Sequence, residues 1–346
     1  MNSSANEVRL SLADVEDLTR RVLTHNGVSD AQAEAIVVTI VAAEADNCRS
    51  HGMYRLLGYV RAVQSGKANG AAVPKLDQKT PAIIHVDGGR GFAPLANEVG
   101  RAALIASAQS LGIAVLAINN CYHNSAMWAD LEPLADAGLV SIGLTAGQRS
   151  VAPHGGSKPV FGTNPFAFGW PRPGQPPFVF DFATSAIARG EIELHRRAGK
   201  AIPLGWAVDA EGNPTTDPAA GLAGAMLPFG GYKGTALALM VELLAGPMIG
   251  DMTSQESFAE DAGAGSPPLG GELIIAFDPV RFLGDEAPEH FARAETLFAS
   301  IKSQEGVRLP GDRRLVEREK SRTGGVMVPT ALLAELHQLR DRAEPV

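Results

Sequence analysis

Seven consecutive residues, Arg49-Ser50-His51-Gly52-Met53-Tyr54-Arg55, place a hydroxyl, an imidazole, a flexible glycine and two guanidinium groups side by side. An imidazole can donate a proton near neutral pH, and the adjacent Ser50 hydroxyl can orient it or relay its proton. Arg55 follows His51 by four residues, so on a helix the two share a face. A planar guanidinium grips a carboxylate at two points. A proton donor beside a carboxylate clamp points to chemistry on a small 2-substituted carboxylic acid. The plainer readings of the same residues are a helix cap and a surface ion pair.

The flanking elements deliver this stretch to a helix junction. Ser11 with Asp14 reads as an N-cap, and Leu12, Val15, Leu18 and Val22 form a helical apolar stripe that Gly27 ends. An alanine-rich helical pattern runs from Ala31 to Asn47, and another apolar-periodic run covers Tyr54 to Val63. Lys67 to Pro81 reads as a loop crossing between domains.

Strand patterns then begin at Ala82–Asp87, and Gly88-Gly89-Arg90-Gly91-Phe92 follows. This is not a dinucleotide fingerprint. Read from Gly89, the third glycine position falls on Pro94, and the strand expected to end in an acid, Ile113–Asn119, ends in Asn-Asn. A nicotinamide, if used, binds another way. The polar run Asn119–Ser125, between a strand and a helix expected over Ser125–Ala137, offers backbone N–H groups to a phosphate or carboxylate; His123 can equally be a cap. Leu139–Thr145 reads as a strand, while 153–156 and 161–165 are irregular loops.

Phe178–Phe182 reads as a buried strand ending near Asp181, with a helix over Thr184–Arg197. A carboxylate there either orients a catalytic group or caps the next element. Pro228–Gly234 opens a long apolar helix, with Lys233 able to reach a phosphate although the P-loop pattern is not matched. Gly250–Pro268 reads as a loop, Glu272–Phe277 as a strand and Glu289–Ser303 as a helix. Arg308–Arg314 is a turn with three arginines, suited to a 2'-phosphate or simply a solvated basic face.

The 346 residues, 45% hydrophobic and 20% charged with a net charge of -8, describe an ordinary globular protein of two or three units and argue against nucleic-acid binding. Cys48 and Cys121 make no disulfide framework and fit a reducing cytoplasm, and no Cys or His pair has zinc spacing, so no metal is expected. Met1–Leu10 lacks a signal-peptide pattern. Thr235–Ile249 is too short to span a bilayer and contains Glu242 and Pro247.

Together these residues resemble a known family. Ser-His-Gly-x-x-Arg at 50–55, Gly-Thr-Asn-Pro at 162–165, Asp-x-Ala-Thr-Ser at 181–185, Gly-Gly-Tyr-Lys-Gly at 230–234 and Leu-Pro-Gly-Asp at 309–312 are similar in order and spacing to the type-2 malate/L-lactate dehydrogenases. His123, Trp128, Glu132-Pro133, Gly138-Leu139-Val140, Val151–Gly155 and Leu227-Pro228-Phe229 resemble its Δ1-piperideine-2-carboxylate/Δ1-pyrroline-2-carboxylate reductase branch. Tyr122 departs from that pattern, where a second histidine is expected, and Asn124 replaces an aromatic residue.

The resemblance implies a non-Rossmann α/β fold. A largely antiparallel sheet domain (81–279) would bind the cofactor, and a helical domain from both chain ends (1–80 and 280–346) would complete the site. It also implies a cytoplasmic homodimer that uses NADPH, or NADH more weakly, to reduce a cyclic ketimine to L-proline or L-pipecolate. On this resemblance His51 is the proton donor, supported by Ser50 and Asp181, with Glu193 as a second candidate for the acidic partner. Arg55 and Thr163 hold the substrate. The NADPH site comprises His123, Asn124, Ser125, Ala126 and Met127; Asp181, Phe182 and Ala183; Arg189 and Gly190; Gly230, Gly231 and Lys233; and Arg308, Leu309, Pro310, Gly311, Asp312, Arg313 and Arg314. The same residues would serve a malate- or lactate-type 2-hydroxy-acid dehydrogenase, or a non-catalytic ligand-binding protein on the same scaffold.

Overall fold

A computed structural model describes residues 7–342. Most of the Met1–Leu10 stretch read for a signal peptide therefore lies outside the described residues. The strands are β1 (Glu7–Leu10), β2 (Lys75–Thr80), β3 (Ile83–Asp87), β4 (Ile113–Tyr122), β5 (Val140–Thr145), β6 (Phe166–Trp170), β7 (Phe178–Phe182), β8 (Ala207–Val208), β9 (Ala225–Met226), β10 (Leu269–Phe277) and β11 (Val326–Pro329). The main helices are α1 (Leu12–His25), α2 (Asp30–Ala45), α3 (Leu56–Gln64), α4 (Ala93–Leu111), α5 (Trp128–Asp136) and α6 (Arg189–Arg197). They continue with α7 (Pro218–Ala223), α8 (Tyr232–Ala245), α9 (Ser254–Asp261), α10 (Pro279–Leu283), α11 (Ala287–Lys302), α12 (Asp312–Gly324) and α13 (Thr330–Asp341).

Seven strands form one sheet in the order β2-β3-β4-β10-β5-β6-β7. Every neighbouring pair is antiparallel except β3 with β4, where α4 supplies the crossover that parallel strands require. The expected largely antiparallel sheet is thus present. On one face α4 packs Leu104 and Ala108 against Leu116, Ile118 and Ile274. On the other, Val241 and Ala245 of α8 cover Ala117, Leu144 and Leu273. Two covered faces bury most of the central strands, which is why β10 lacks apolar–polar alternation.

A second apolar core joins α1, α2, α3 and α13 with β11. Ser11 and Asp14 form a full capping box on α1. α2 buries alanines and β-branched residues on several sides, as its short side chains permit close helix packing. β1 pairs with β11, bringing the two ends of the described chain together. α11 packs on the sheet's edge, where Phe298 meets Phe178 and Phe291 meets Trp170.

Several local expectations need correction. Lys75–Thr80 is an edge strand, not loop; all six residues are exposed, so no alternation marks it. Gly250–Pro268 contains α9, started by a Thr253–Glu256 capping box. Asn119–Tyr122 continues β4, and the following helix starts at Trp128 rather than Ser125. Residues 184–188 are irregular, so α6 begins five residues later than Thr184. Among the described residues no single helix is long and apolar enough to cross a membrane.

Candidate active site

The 49–55 stretch is two 3₁₀ turns, Arg49–His51 and Met53–Arg55, hinged at Gly52. Its position is set by Glu44 of α2, whose carboxylate accepts a hydrogen bond from the Met53 N–H at 2.7 Å. A Cβ on Gly52 would stand 2.0 Å from Glu44 Oε1. Glu44 must then release Met53. Gly52→Ala is therefore expected to cost about 1–3 kcal/mol, the penalty of stranding a buried acceptor. A lowered melting temperature that Glu44→Gln does not further lower would check this.

His51 and Arg55 meet as expected, though by 3₁₀ turns rather than an α-helical face: Arg55 Nη2 lies 3.4 Å from His51 Nε2. A guanidinium only donates, so Nε2 is the ring's acceptor and Nδ1 carries the hydrogen toward Ser50 Oγ at 3.2 Å. Burial, and secondarily Arg55, holds the His51 pKa down to about 3; the ring is uncharged at neutral pH. Arg55 is the more unusual group. Its Nε is buried without a partner, and among the described residues no carboxylate lies within ion-pair distance of it. Burial accordingly pushes its pKa down. Gly190 lets it sit there, since a Cβ would come within 3.1 Å of Arg55 Nη2 and 3.3 Å of the Ser50 carbonyl.

A cavity of about 790 Å³ opens over these groups. It gathers half of the expected site: Ser50, His51, Arg55, His123, Asn124, Ser125, Thr163, Asp181, Phe182, Ala183, Arg189 and Gly190 all line it. Its basic lining continues with Arg61, Arg149, Arg196 and Arg197. Arg149, lying 4.1 Å over the Phe258 ring, belongs to no motif and was not expected. Cys48 was also missed; its Sγ is 3.8 Å from His51 Nδ1, and burial pushes its thiol up to about 11.

Other expected residues sit elsewhere. Ala126 and Met127 are buried in the core beneath α5, and Gly230, Gly231 and Lys233 start α8 without lining this cavity. Arg308 and Arg313 are exposed, and Leu309 is buried. Pro310, Gly311, Asp312 and Arg314 border a separate hollow of about 10 Å³, room for one water. Arg314 stacks 4.7 Å over Trp128, donates to the Val179 carbonyl and lies 3.7 Å from both Asp46 and Glu132. Arg318 grips the same two carboxylates at 2.7 and 2.8 Å.

The N–H groups of Asn120, Tyr122 and His123, expected to be open to an anion, are taken by Asp251, Gly91 and Pro268. The cause is a bulge. Asn119 and Asn120 together oppose Gly271 of β10, and Asn120 adopts φ 57°. Asp181 accepts from Met127 N at 3.0 Å and caps α5, while its carboxyl is pushed up by burial against the pull of Arg314. No hydrogen bond joins it to His51 among the described residues. Glu193 instead pairs with Arg196 at 2.5 Å and Arg197 at 3.4 Å.

Thr163 is held by its neighbour. Asn164 accepts from Gly147 N at 3.0 Å and donates to the Ala238 carbonyl at 3.1 Å and Glu242 Oε2 at 2.7 Å. Ser254 Oγ also donates to Glu242 at 2.7 Å. Only the Gly-Thr-Asn-Pro motif hinted at this; Glu242 was hidden in an apolar helix. Asn164→Ala would leave buried partners unsatisfied and is expected to cost about 2–4 kcal/mol. Substrate KM should rise more than cofactor KM; equal rises would remove the link to Thr163.

With this geometry in place, residues 10–337 match the malate/L-lactate dehydrogenase family, and the chain belongs to it. It is an oxidoreductase. It is 59% identical to a Δ1-pyrroline-2-carboxylate reductase of Ancylobacter novellus over 97% of this chain and 98% of that one. A Δ1-pyrroline-2-carboxylate/Δ1-piperideine-2-carboxylate reductase of Pseudomonas aeruginosa is 55% identical over 95% and 98%. The crystal structure of Δ1-piperideine-2-carboxylate reductase from Pseudomonas syringae pv. tomato superposes with a TM-score of 0.89 at 41% identity, covering 96% of this chain and 99% of that one.

Proposed function

We propose that the chain reduces the cyclic ketimines Δ1-pyrroline-2-carboxylate and Δ1-piperideine-2-carboxylate to L-proline and L-pipecolate, using NADPH and, more weakly, NADH. One observation carries this reading: a half-buried guanidinium, its Nε buried and without a protein anion, stands against an uncharged imidazole in a large basic cavity. Such an arginine is suited to a ligand carboxylate. The cavity's arginines likewise suit the phosphates of a dinucleotide. His123–Ser125, Asp181–Ala183, Arg189 and Gly190 would hold it, and a bound reduced nicotinamide would supply the hydride.

The chain's own residues then have three tasks. Arg55 fixes the substrate carboxylate, with Thr163 beside it, so that C2 is presented in one orientation. Rather than donating a proton as the resemblance implies, His51 Nε2, relieved of Arg55, accepts the N–H of the substrate's iminium group and keeps that proton on the nitrogen. Ser50 holds the opposite ring nitrogen and thereby the tautomer. A 2-oxo acid brings no such proton, so His51, uncharged in the free protein, would first have to be protonated. This favours imines over malate or lactate chemistry.

The test is NADPH oxidation with the two cyclic imines beside pyruvate and oxaloacetate. Much higher kcat/KM for the imines is expected; faster turnover of the open-chain acids would move the chain to the hydroxy-acid dehydrogenases. We also take residues 81–279 as the cofactor lobe and 1–80 with 280–346 as the helical lobe. Two apolar clusters support this division, although Phe92, Tyr122 and Leu269 join the helical one and α11 packs on the sheet. We take the protein as a cytoplasmic homodimer; the exposed Leu239, Leu243 and Met248 along and beyond α8 support a covered face. A monomer in light scattering would refute it.

A further inference from the structure

Behind the wall of the cavity, between α4, α5 and the sheet, lies a buried polar set that the proposed reaction does not use. Glu272 of β10, Asp130 of α5 and Asn97 of α4 are all buried, with Arg101 of α4 beside them. Glu272 Oε1, Asn97 Nδ2 and Arg101 Nε have no hydrogen-bond partner among the described residues. His123, which lines the cavity with its ring also buried, lies against this set.

The hydrogen-bond chemistry at His123 is restrictive. Next to the β4 bulge, Nε2 lies 3.1 Å from the Gly270 carbonyl, and Nδ1 lies 3.6 Å from Glu272 Oε2. A carbonyl only accepts, so Nε2 carries hydrogen. An uncharged ring then has a bare Nδ1, which only accepts. A bare carboxylate opposite would set two lone-pair groups against each other across 3.6 Å; a carboxylic acid at Glu272 removes that conflict and can turn its O–H toward Nδ1. The alternative, an imidazolium facing a carboxylate, buries two further charges where Asp130 and Arg101 already stand. Burial acts the same way on both groups, pushing Glu272 well up, helped by Asp130, and His123 down. The other charged or titratable groups facing the pair are Cys121 on β4 and Asp251 after α8.

We propose that Glu272 is a positioning residue that, as a protonated acid, fixes His123 as the uncharged Nε2–H tautomer and so keeps one wall of the cavity a neutral ring. Both ring nitrogens are turned to protein groups, which leaves the ring faces and carbon edge to the cavity. The consequence for binding rests on the nicotinamide reading: a neutral flat ring accepts a nicotinamide in either oxidation state, whereas an imidazolium repels the cationic oxidised form.

Two measurements test this. In protein carrying ¹⁵N-histidine, with His123→Gln used only for assignment, the His123 ring nitrogens should report the neutral Nε2–H form at pH 7 without cofactor. The Nδ1–H form or an imidazolium would overturn the proposal, and no variant at position 272 is needed. Second, dissociation constants for NADPH and NADP⁺ are measured by fluorescence from pH 6.5 to 9.5. The wild type should weaken at least fivefold toward the alkaline end, and a flat wild-type profile would overturn the role of Glu272. Glu272→Gln, whose amide donates to Nδ1 without titrating, should stay within twofold of its own neutral-pH value. An identical alkaline limb in both proteins would overturn the role of Glu272. Failure of the wild type to bind either nucleotide would overturn the cofactor reading and leave the tautomer measurement standing.

Discussion

His51→Ala is expected to lower kcat by about 10²- to 10⁴-fold, the usual contribution of a positioned proton-handling group, with NADPH binding nearly unchanged. The reason lies in how little else in the site can hold the substrate nitrogen's proton. Arg55 only donates; the Cys48 thiol, at about 11, is a poor exchange partner at neutral pH. A matched fall in kcat and kcat/KM would mark an interaction made in the transition state. Loss of NADPH binding in a folded His51→Ala protein would instead make His51 a cofactor ligand.

Arg55→Ala should have a different signature. Removing one partner of a buried charge-assisted pair costs about 2–5 kcal/mol, so substrate KM should rise by roughly 30- to 5,000-fold while NADPH binding persists. Stability should move the other way. In the free protein Arg55 is a half-buried cation whose orphaned Nε is buried, and its removal relieves that desolvation cost, so the melting temperature should hold or rise. The His51 pKa should also rise from about 3, because one of its two depressing influences disappears while burial remains. A marked fall in melting temperature with unchanged KM would show Arg55 to be a structural residue and end the carboxylate-clamp reading.

Much of this site was readable because its residues are neighbours in the chain. Ser50, His51 and Arg55 fall within six positions, and the helices around them carry strong periodicity and a capping box. Strands buried on both faces, such as β10, showed as apolar runs. What escaped is what depends on distant partners. Asp181 was legible as a strand-end carboxylate, yet only the fold shows that it caps α5 from across the sheet. Glu242 sits in an apolar helix, with no local sign that it would accept from Asn164 and Ser254. Asn119-Asn120 looked like the mouth of a helix and is a strand bulge, because the bulge is defined by its register against β10. The Thr253–Glu256 box of α9 was available in the sequence, but the surrounding glycines obscured a helix of only two turns.

The meeting of β1 with β11 bears on how the protein is made. Sheet strands β2 to β10 fall within 75–277 and can assemble as they leave the ribosome. The reactive turn cannot settle so early. Met53 and Tyr59 share their core with Val326, Val328, Leu332 and Leu336, which emerge after every strand of that sheet. Contacts of such long sequence separation form slowly. A chain that stopped after Val316 would therefore retain every residue lining the cavity and still lack the floor beneath His51 and Arg55. Competence to turn over substrate should appear only when the final helix has emerged, so a truncated or clipped product is silent rather than partly active.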